Sequence, residues 1–181
     1  MSSKYKFSNP SGVYFVSFAT VHWIDIFVRE VYCNEIVQSL SYCIAAKGMR
    51  LHAWCIMPSH IHLIFGASNN NPEAVIRDFK KFTSKRILEL LVTNKQESRK
   101  EWILDLMKKA GNTKNNVIHY QFWQHDNHPI ELWSDLVLKQ KLDYLHNNPV
   151  VSGLVCNASD WKYSSAIDYA GGKGFINIQI L

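Results

Sequence analysis

Hydrophobic and polar positions alternate between two periods along this chain. Val13 to Thr20 is an apolar, β-branched and aromatic run that predicts a buried strand. From Arg29 to Lys47 the apolar positions Val31, Ile36, Val37, Leu40 and Ile44 recur at helical spacing, and Gly48 follows as a stop. Two short apolar runs, Leu51 to Met57 and His60 to Phe65, flank Pro58-Ser59 and predict an antiparallel pair joined by a tight turn. Asn71-Pro72-Glu73 supplies a cap, a proline at the first helical position and an acid in the first turn, so a helix is expected from there to about Leu91.

Residues 93–116 are polar and read as an insertion carrying a shorter helix at Glu101 to Ala110. Tyr120 to Gln124 and His128 to Trp133 read as strands around the polar turn His125-Asp126-Asn127. Ser134 or Asp135 then caps a helix expected to end at Asn147-Asn148-Pro149. The resulting order predicts an α+β fold, a ferredoxin-like β-α-β-β-α-β core with an antiparallel sheet and an additional late helix. At 181 residues one domain spanning 1–181 is expected. Such a fold hosts many functions, so residues have to decide activity.

Composition narrows the picture modestly. A net charge of +5 and a 47% hydrophobic content suit a globular protein with a polyanionic partner, although many solvated surfaces carry this much charge. No apolar stretch reaches signal-peptide or bilayer-spanning length, so a cytoplasmic protein with no membrane partner is expected. Cys33, Cys43, Cys55 and Cys156 lack CxxC spacing and indicate neither a disulfide framework nor a zinc knuckle.

His60-Ile61-His62 is the first chemically suggestive pattern, because the two-residue period of a strand puts both imidazoles on one face. A chain with 8 His in 181 residues yields about 0.35 such triplets by chance, so a coincidental surface pair is the competing reading. Tyr144 and Asn148 stand four apart on the late helix, beside the stripe Leu138, Leu142 and Leu145. On helix pattern alone, Tyr144 reads more readily as an amphipathic residue at the edge of the core. Arg77, Lys81 and Lys85 recur every four residues, Lys80 is adjacent, and Arg77 to Arg86 carries a local charge of +4. That stripe reads either as a DNA-backbone contact or as the wet side of a helix.

Taken together and in order, Met57-Pro58-Ser59-His60-Ile61-His62-Leu63 and Tyr144-Leu145-His146-Asn147-Asn148-Pro149-Val150-x-x-Gly153-Leu154-Val155 resemble the REP-associated tyrosine transposases, within the HUH single-tyrosine transposase superfamily. The resemblance runs to about Ser165 and includes Phe122-Trp123-Gln124-His125-Asp126-x-His128 and Trp161-x-Tyr163-Ser164-Ser165. Arg77 to Lys85 looks like the family's basic helix. The resemblance implies that His60 and His62 bind a divalent cation, Mg²⁺ or Mn²⁺, with Asn148 as third ligand. It implies Tyr144 as nucleophile, a 5′-phosphotyrosyl link with a free 3′-hydroxyl, and single-stranded, hairpin-associated DNA as substrate.

Arg77, Lys80, Lys81, Lys85 and Lys141 are the expected DNA contacts, and a monomer or homodimer is expected, nucleoid-associated when bound to DNA. A tyrosine phenol is protonated at neutral pH, so attack needs a proton acceptor, for which His146 and Lys141 are the sequence neighbours. Trp123, Trp161, Tyr163 and His119 read as base-stacking residues or, more economically, as core aromatics. Two readings from other classes stay open at this stage: a DNA-binding module without strand transfer, and a metal-dependent phosphodiesterase that uses water.

Overall fold

The computed structural model describes residues 6–111, 120–125 and 127–181. Its elements run in the order β1 (Tyr14–Ala19), α1 (Glu30–Ala46), β2 (Met49–Ile56), β3 (His60–Ala67), α2 (Pro72–Thr93), α3 (Lys100–Ala110), β4 (Ile130–Glu131), α4 (Asp135–Val151) and α5 (Ala166–Tyr169). The sheet order is β2-β3-β1-β4 and every pairing is antiparallel. β1 lies between β3 and β4, the arrangement expected of a ferredoxin-like core.

Strand periodicity divides the sheet into two faces. Tyr14, Val16, Phe18, Ile61, Leu63 and Phe65 point to the side covered by α1 and α2, where they join Ile36, Leu40, Ile76 and Phe79 in the main core. Phe15, Ala53, Cys55, Met57 and Ile64 point the other way and pack with Leu145 of α4. Fully burying Leu145 contributes about 2 kcal/mol of hydrophobic stabilisation, and it sets the depth at which α4 rests on the sheet.

Four expectations meet a different local structure. The expected strand at Tyr120 to Gln124 is reduced to a single bridge between Thr20 and Trp123, because Phe122 and Trp123 are buried in the core and Trp123 Nε1 donates to Thr83 Oγ1 at 3.1 Å. The run His128 to Trp133 keeps only Ile130–Glu131 as strand; Pro129 has no N–H to offer a ladder. α4 passes through Pro149 to Val151 instead of ending at Asn147-Asn148-Pro149. Gly153 stops it: at φ 70 it permits Leu154 N–H to reach Pro149 O and Gly153 N–H to reach Val150 O, both at 2.9 Å, a Schellman closure. Finally, the helix within the polar 93–116 stretch is docked. Ile103 and Met107 are fully buried, and buried Glu97 accepts from Arg29 (2.8 Å) and Arg99 (3.2 Å). Asn112 to Asn116 lie outside the described residues.

β2 is an edge strand, and the C-terminal segment protects it. Ile56 N–H donates to Tyr163 O, Ser165 N–H to Trp54 O and Gln179 N–H to Leu51 O, each at 2.9 Å. Ser165 is a node: its hydroxyl accepts from Trp54 N–H at 2.9 Å and pairs with His146 Nε2 at 2.9 Å. The sheet edge, the tail and α4 are therefore fastened at one point.

Burial pushes the His146 imidazole down to about 4, against the opposing pull of Asp143 and Asp168. The unfolded chain protonates nearer the ordinary 6.5. This group's contribution is therefore present above pH 6.5 and is lost as pH falls towards 4, on the order of 3 kcal/mol in all. In urea unfolding, the parent is expected to lose about 2 kcal/mol more than His146→Gln between pH 7 and pH 4.5. Equal losses in the two proteins would contradict a buried neutral His146.

Candidate active site

β3 puts His60 and His62 on the face towards α4, with ring centroids 4.8 Å apart and near perpendicular. Their cross-strand partners on β1 are small, Ala19 opposite His60 and Ser17 opposite His62, so no large side chain from β1 stands directly across from either imidazole. Phe15 stacks on His62 with centroids 5.5 Å apart. The histidine pair predicted from alternation is therefore real in space and has an aromatic wall.

α4 supplies the rest. Tyr144 lies 5.3 Å from His62 and 6.0 Å from Phe15, centroid to centroid, yet its side of the helix leaves it 51% exposed. One turn on, the Asn148 amide nitrogen donates to His62 Nε2 at 2.9 Å. Lys141, one turn earlier, holds Nζ 5.1 Å from the Phe15 ring and 5.8 Å from the Tyr144 ring. Leu145 faces the sheet between them. Lys141, Tyr144 and Asn148 thus form one helix edge at spacings of three and four, aimed at the two histidines.

Burial, then the charges of His60 and Lys141, push the His62 imidazole down to about 3, and burial lowers His60 as well. Both rings are neutral at physiological pH, the form that donates a lone pair to a metal. Buried His62 Nδ1 has no hydrogen-bond partner among the described residues, an expense that functional sites characteristically carry. His60 Nδ1 is oriented by Ser59 Oγ at 3.3 Å, leaving Nε2 as its outward donor.

The donor set fits a divalent cation. Among the described residues no cluster of three His, Cys, Asp or Glu side chains stands ready for a metal, so a cation on the two histidines would need a further donor such as the Asn148 amide. Rotating the Asn148 amide by half a turn exchanges its nitrogen and oxygen and turns a carbonyl oxygen towards His62. The side-chain amide and His62 Nε2 are 2.9 Å apart, close enough that both could donate to one cation.

The transposase-IS200-like family model matches residues 18–104. This segment contains both histidines and stops before α4. Over that segment the chain is similar to the IS200-like transposases. A Haemophilus influenzae protein named as a REP-associated tyrosine transposase is 26% identical over 157 residues, covering 85% of this chain and 79% of the relative. A solved REP-associated tyrosine transposase bound to a REP hairpin superposes with a TM-score of 0.67 at 17% identity, covering 99% of this chain and 92% of the other. That likeness establishes the shared fold.

Beside these IS200-like relatives, the remaining expected residues separate into two groups. Lys141 is at the site. Arg77, Lys80, Lys81 and Lys85 lie on α2, across the sheet from His60 and His62. Their charge is partly matched: Arg77 pairs with Asp78 at 3.2 Å, and Lys85 approaches Glu89 at 4.0 Å. Lys80 Nζ donates to Gln124 O at 2.8 Å and Asn127 Oδ1 at 2.6 Å and covers the Phe18 ring, so it braces the chain ahead of β4. Lys81, Lys85, Tyr42 and Phe82 line a groove of about 840 Å³ between α1 and α2, whose lining includes no histidine.

His146 is buried against Ser165, on a different side of the helix from Tyr144, whereas Lys141 Nζ lies 5.8 Å from the Tyr144 ring. Trp161 donates to Ile56 O at 2.9 Å, and Tyr163 and Trp123 are buried, so these three serve the core. His125 and His128 are exposed, whereas Asp126 and His119 lie outside the described residues. Sequence reasoning missed Phe15 and Trp23 at the site. Phe15 has the right strand parity, but only the register between β1 and β3 reveals it.

Alanine at His60 or His62 is expected to weaken Mn²⁺ binding at least tenfold by isothermal titration, with circular dichroism unchanged, and the double variant should bind none. Parent-like affinity in the folded double variant would remove the histidines from metal binding.

Proposed function

We propose that this protein cuts and rejoins single-stranded, hairpin-associated DNA, as a transposase-type strand transferase with Tyr144 as nucleophile and Mg²⁺ or Mn²⁺ held by His60, His62 and Asn148. The observation that carries the reading is the half-exposed Tyr144 ring set 5.3 Å from the neutral His62 imidazole, one helical turn from the Asn148 amide. The family match across His60 and His62 and the relative named as a REP-associated tyrosine transposase support it independently.

A cation on this donor set would neutralise charge on the scissile phosphate and hold its oxygens in line. The protein's own groups do the rest. The Tyr144 phenol oxygen attacks phosphorus and gives up its proton as the bond to the 3′ oxygen breaks. The departing 3′ oxygen takes up a proton to become a hydroxyl, and the 5′ phosphate stays on Tyr144. Attack by an incoming 3′-hydroxyl reverses these steps, restores the phenol and needs no nucleotide cofactor, because the phosphodiester energy is retained in the link. Lys141 Nζ, beside the Tyr144 ring, offers a cation to the attacked phosphate.

Arg77, Lys81 and Lys85 form a second basic surface suited to a duplex backbone, as in a hairpin stem, on the far side of the sheet, with Lys80 bracing it. Gln at these three positions should weaken DNA binding and reduce the slope of log affinity against log salt by roughly two to three, through lost counterion release. An unchanged slope would assign the stripe to ordinary solvated surface.

Replacing the phenol gives the decisive test. Tyr144→Phe should keep fold and DNA affinity while losing all covalent adduct. Parent and variant are incubated with Mg²⁺ and end-labelled single-stranded hairpin DNA from sequence flanking the gene, then resolved under SDS. Labelled protein is expected from the parent alone. Equal adduct from both would take Tyr144 out of the mechanism, and cleavage by both without adduct would favour a water-using phosphodiesterase.

A further inference from the structure

Residues 20–29 connect β1 to α1 through a turn that carries two consecutive non-glycine residues in the left-handed region, His22 at φ 54 and Trp23 at φ 56. L-residues avoid that region, and a bulky aromatic does so strongly. The turn is not loose. Thr20 N–H donates to Ser59 O at 2.9 Å, Val21 N–H to Phe122 O at 2.8 Å and Phe27 N–H to Pro58 O at 2.9 Å, while the Thr20 hydroxyl donates to Ile24 O at 2.7 Å. It is therefore tied to Pro58 and Ser59, the residues that immediately precede His60.

Burying Val21, Ile24, Ile26 and Phe27 explains the anchoring but not the residue at position 23. Glycine or asparagine would adopt the same backbone at lower cost. Trp23 instead stands 59% exposed, with its ring 5.5 Å from His60 and inclined at 73°. Such a contact leaves much of the indole open to solvent beside the site. The other mouth is formed by Tyr144 and Lys141. The two imidazoles lie between a fixed exposed indole and the tyrosine edge of α4.

We propose that Trp23 is a stacking platform for one unpaired base of the DNA strand next to the phosphate held at His60 and His62, which fixes the strand's register across the site. The inference rests on the strand-transfer reading of that site. Base–aromatic stacking tolerates any base identity but requires a base to be present, and a preorganised ring loses little freedom on binding. Trp23 therefore selects a base over no base at one flanking position and sets which phosphate meets Tyr144.

The test compares Trp23→Ala and Trp23→Phe with unmodified Trp23 in full-length Tyr144→Phe protein, which binds without turnover. Fluorescence anisotropy is read with Mg²⁺ on fluorescein-labelled hairpin DNA bearing a single-stranded flank, intact or with each flank nucleotide replaced singly by an abasic residue. Trp23→Ala should weaken intact-flank binding roughly 5- to 150-fold, Trp23→Phe should retain most of the affinity, and the alanine penalty should vanish at one abasic position. Equal affinities, or the same penalty at every position, would overturn the proposal. A matching fall in Mn²⁺ affinity for Trp23→Ala would overturn it too, by assigning the ring to His60 orientation. Absence of adduct in the parent would refute strand transfer while leaving this binding signature readable.

Discussion

α4 rests across the second face of the sheet on one fully buried side chain, Leu145, packed against Phe15, Cys55, Met57 and Ile64. Once Leu145 is inserted, helical geometry leaves no choice about its neighbours: Lys141, Tyr144 and Asn148 lie along the edge that overhangs β3. The Asn148–His62 hydrogen bond then fixes the rotation of the helix, and the His146–Ser165 contact fixes its opposite flank. Everything chemical about the site depends on this docking. A phenol, two imidazoles and an amide from segments more than 80 residues apart become one constellation only because a strand of period two and a helix of period 3.6 meet at Leu145.

The sheet also separates two kinds of surface. The face towards α4 carries neutral imidazoles, exposed aromatics and a single nearby ammonium, a setting suited to one desolvated phosphate. The face towards α1 and α2 carries most of the basic stripe, already part-paired with acids, a setting suited to diffuse, salt-sensitive attraction. In the proposed reaction, phosphate chemistry and backbone attraction would thereby be kept apart, and a substrate that engages both would have to wrap an edge of the sheet. A folded hairpin with a single-stranded arm has that shape.

Much of this was legible in the chain itself. The strand-turn-strand unit around Pro58-Ser59, the paired faces of His60 and His62, and the shared face of Tyr144 and Asn148 all follow from local periodicity, and local periodicity survives folding. Long-range competition accounts for the rest. Phe122 and Trp123 read as a strand by composition, but core burial claimed their side chains and left one bridge. Pro149 read as a helix end, whereas Gly153, four residues later, supplies the left-handed backbone that closes the Schellman turn. Lys80 read as one of a surface row until the chain near Asn127 came to meet it. Trp23 carries no periodic signal at all. Its significance comes from a left-handed backbone and from proximity to a histidine 37 positions away.

The most direct measurement is the anomalous scattering of a crystal of the full chain soaked in Mn²⁺. A single peak bounded by His60, His62 and the Asn148 side-chain oxygen, with the Tyr144 hydroxyl facing the same cavity, is the predicted result. A peak elsewhere, or histidines left without metal while α4 stays docked, would contradict the claim that the docking of α4 builds the reactive centre.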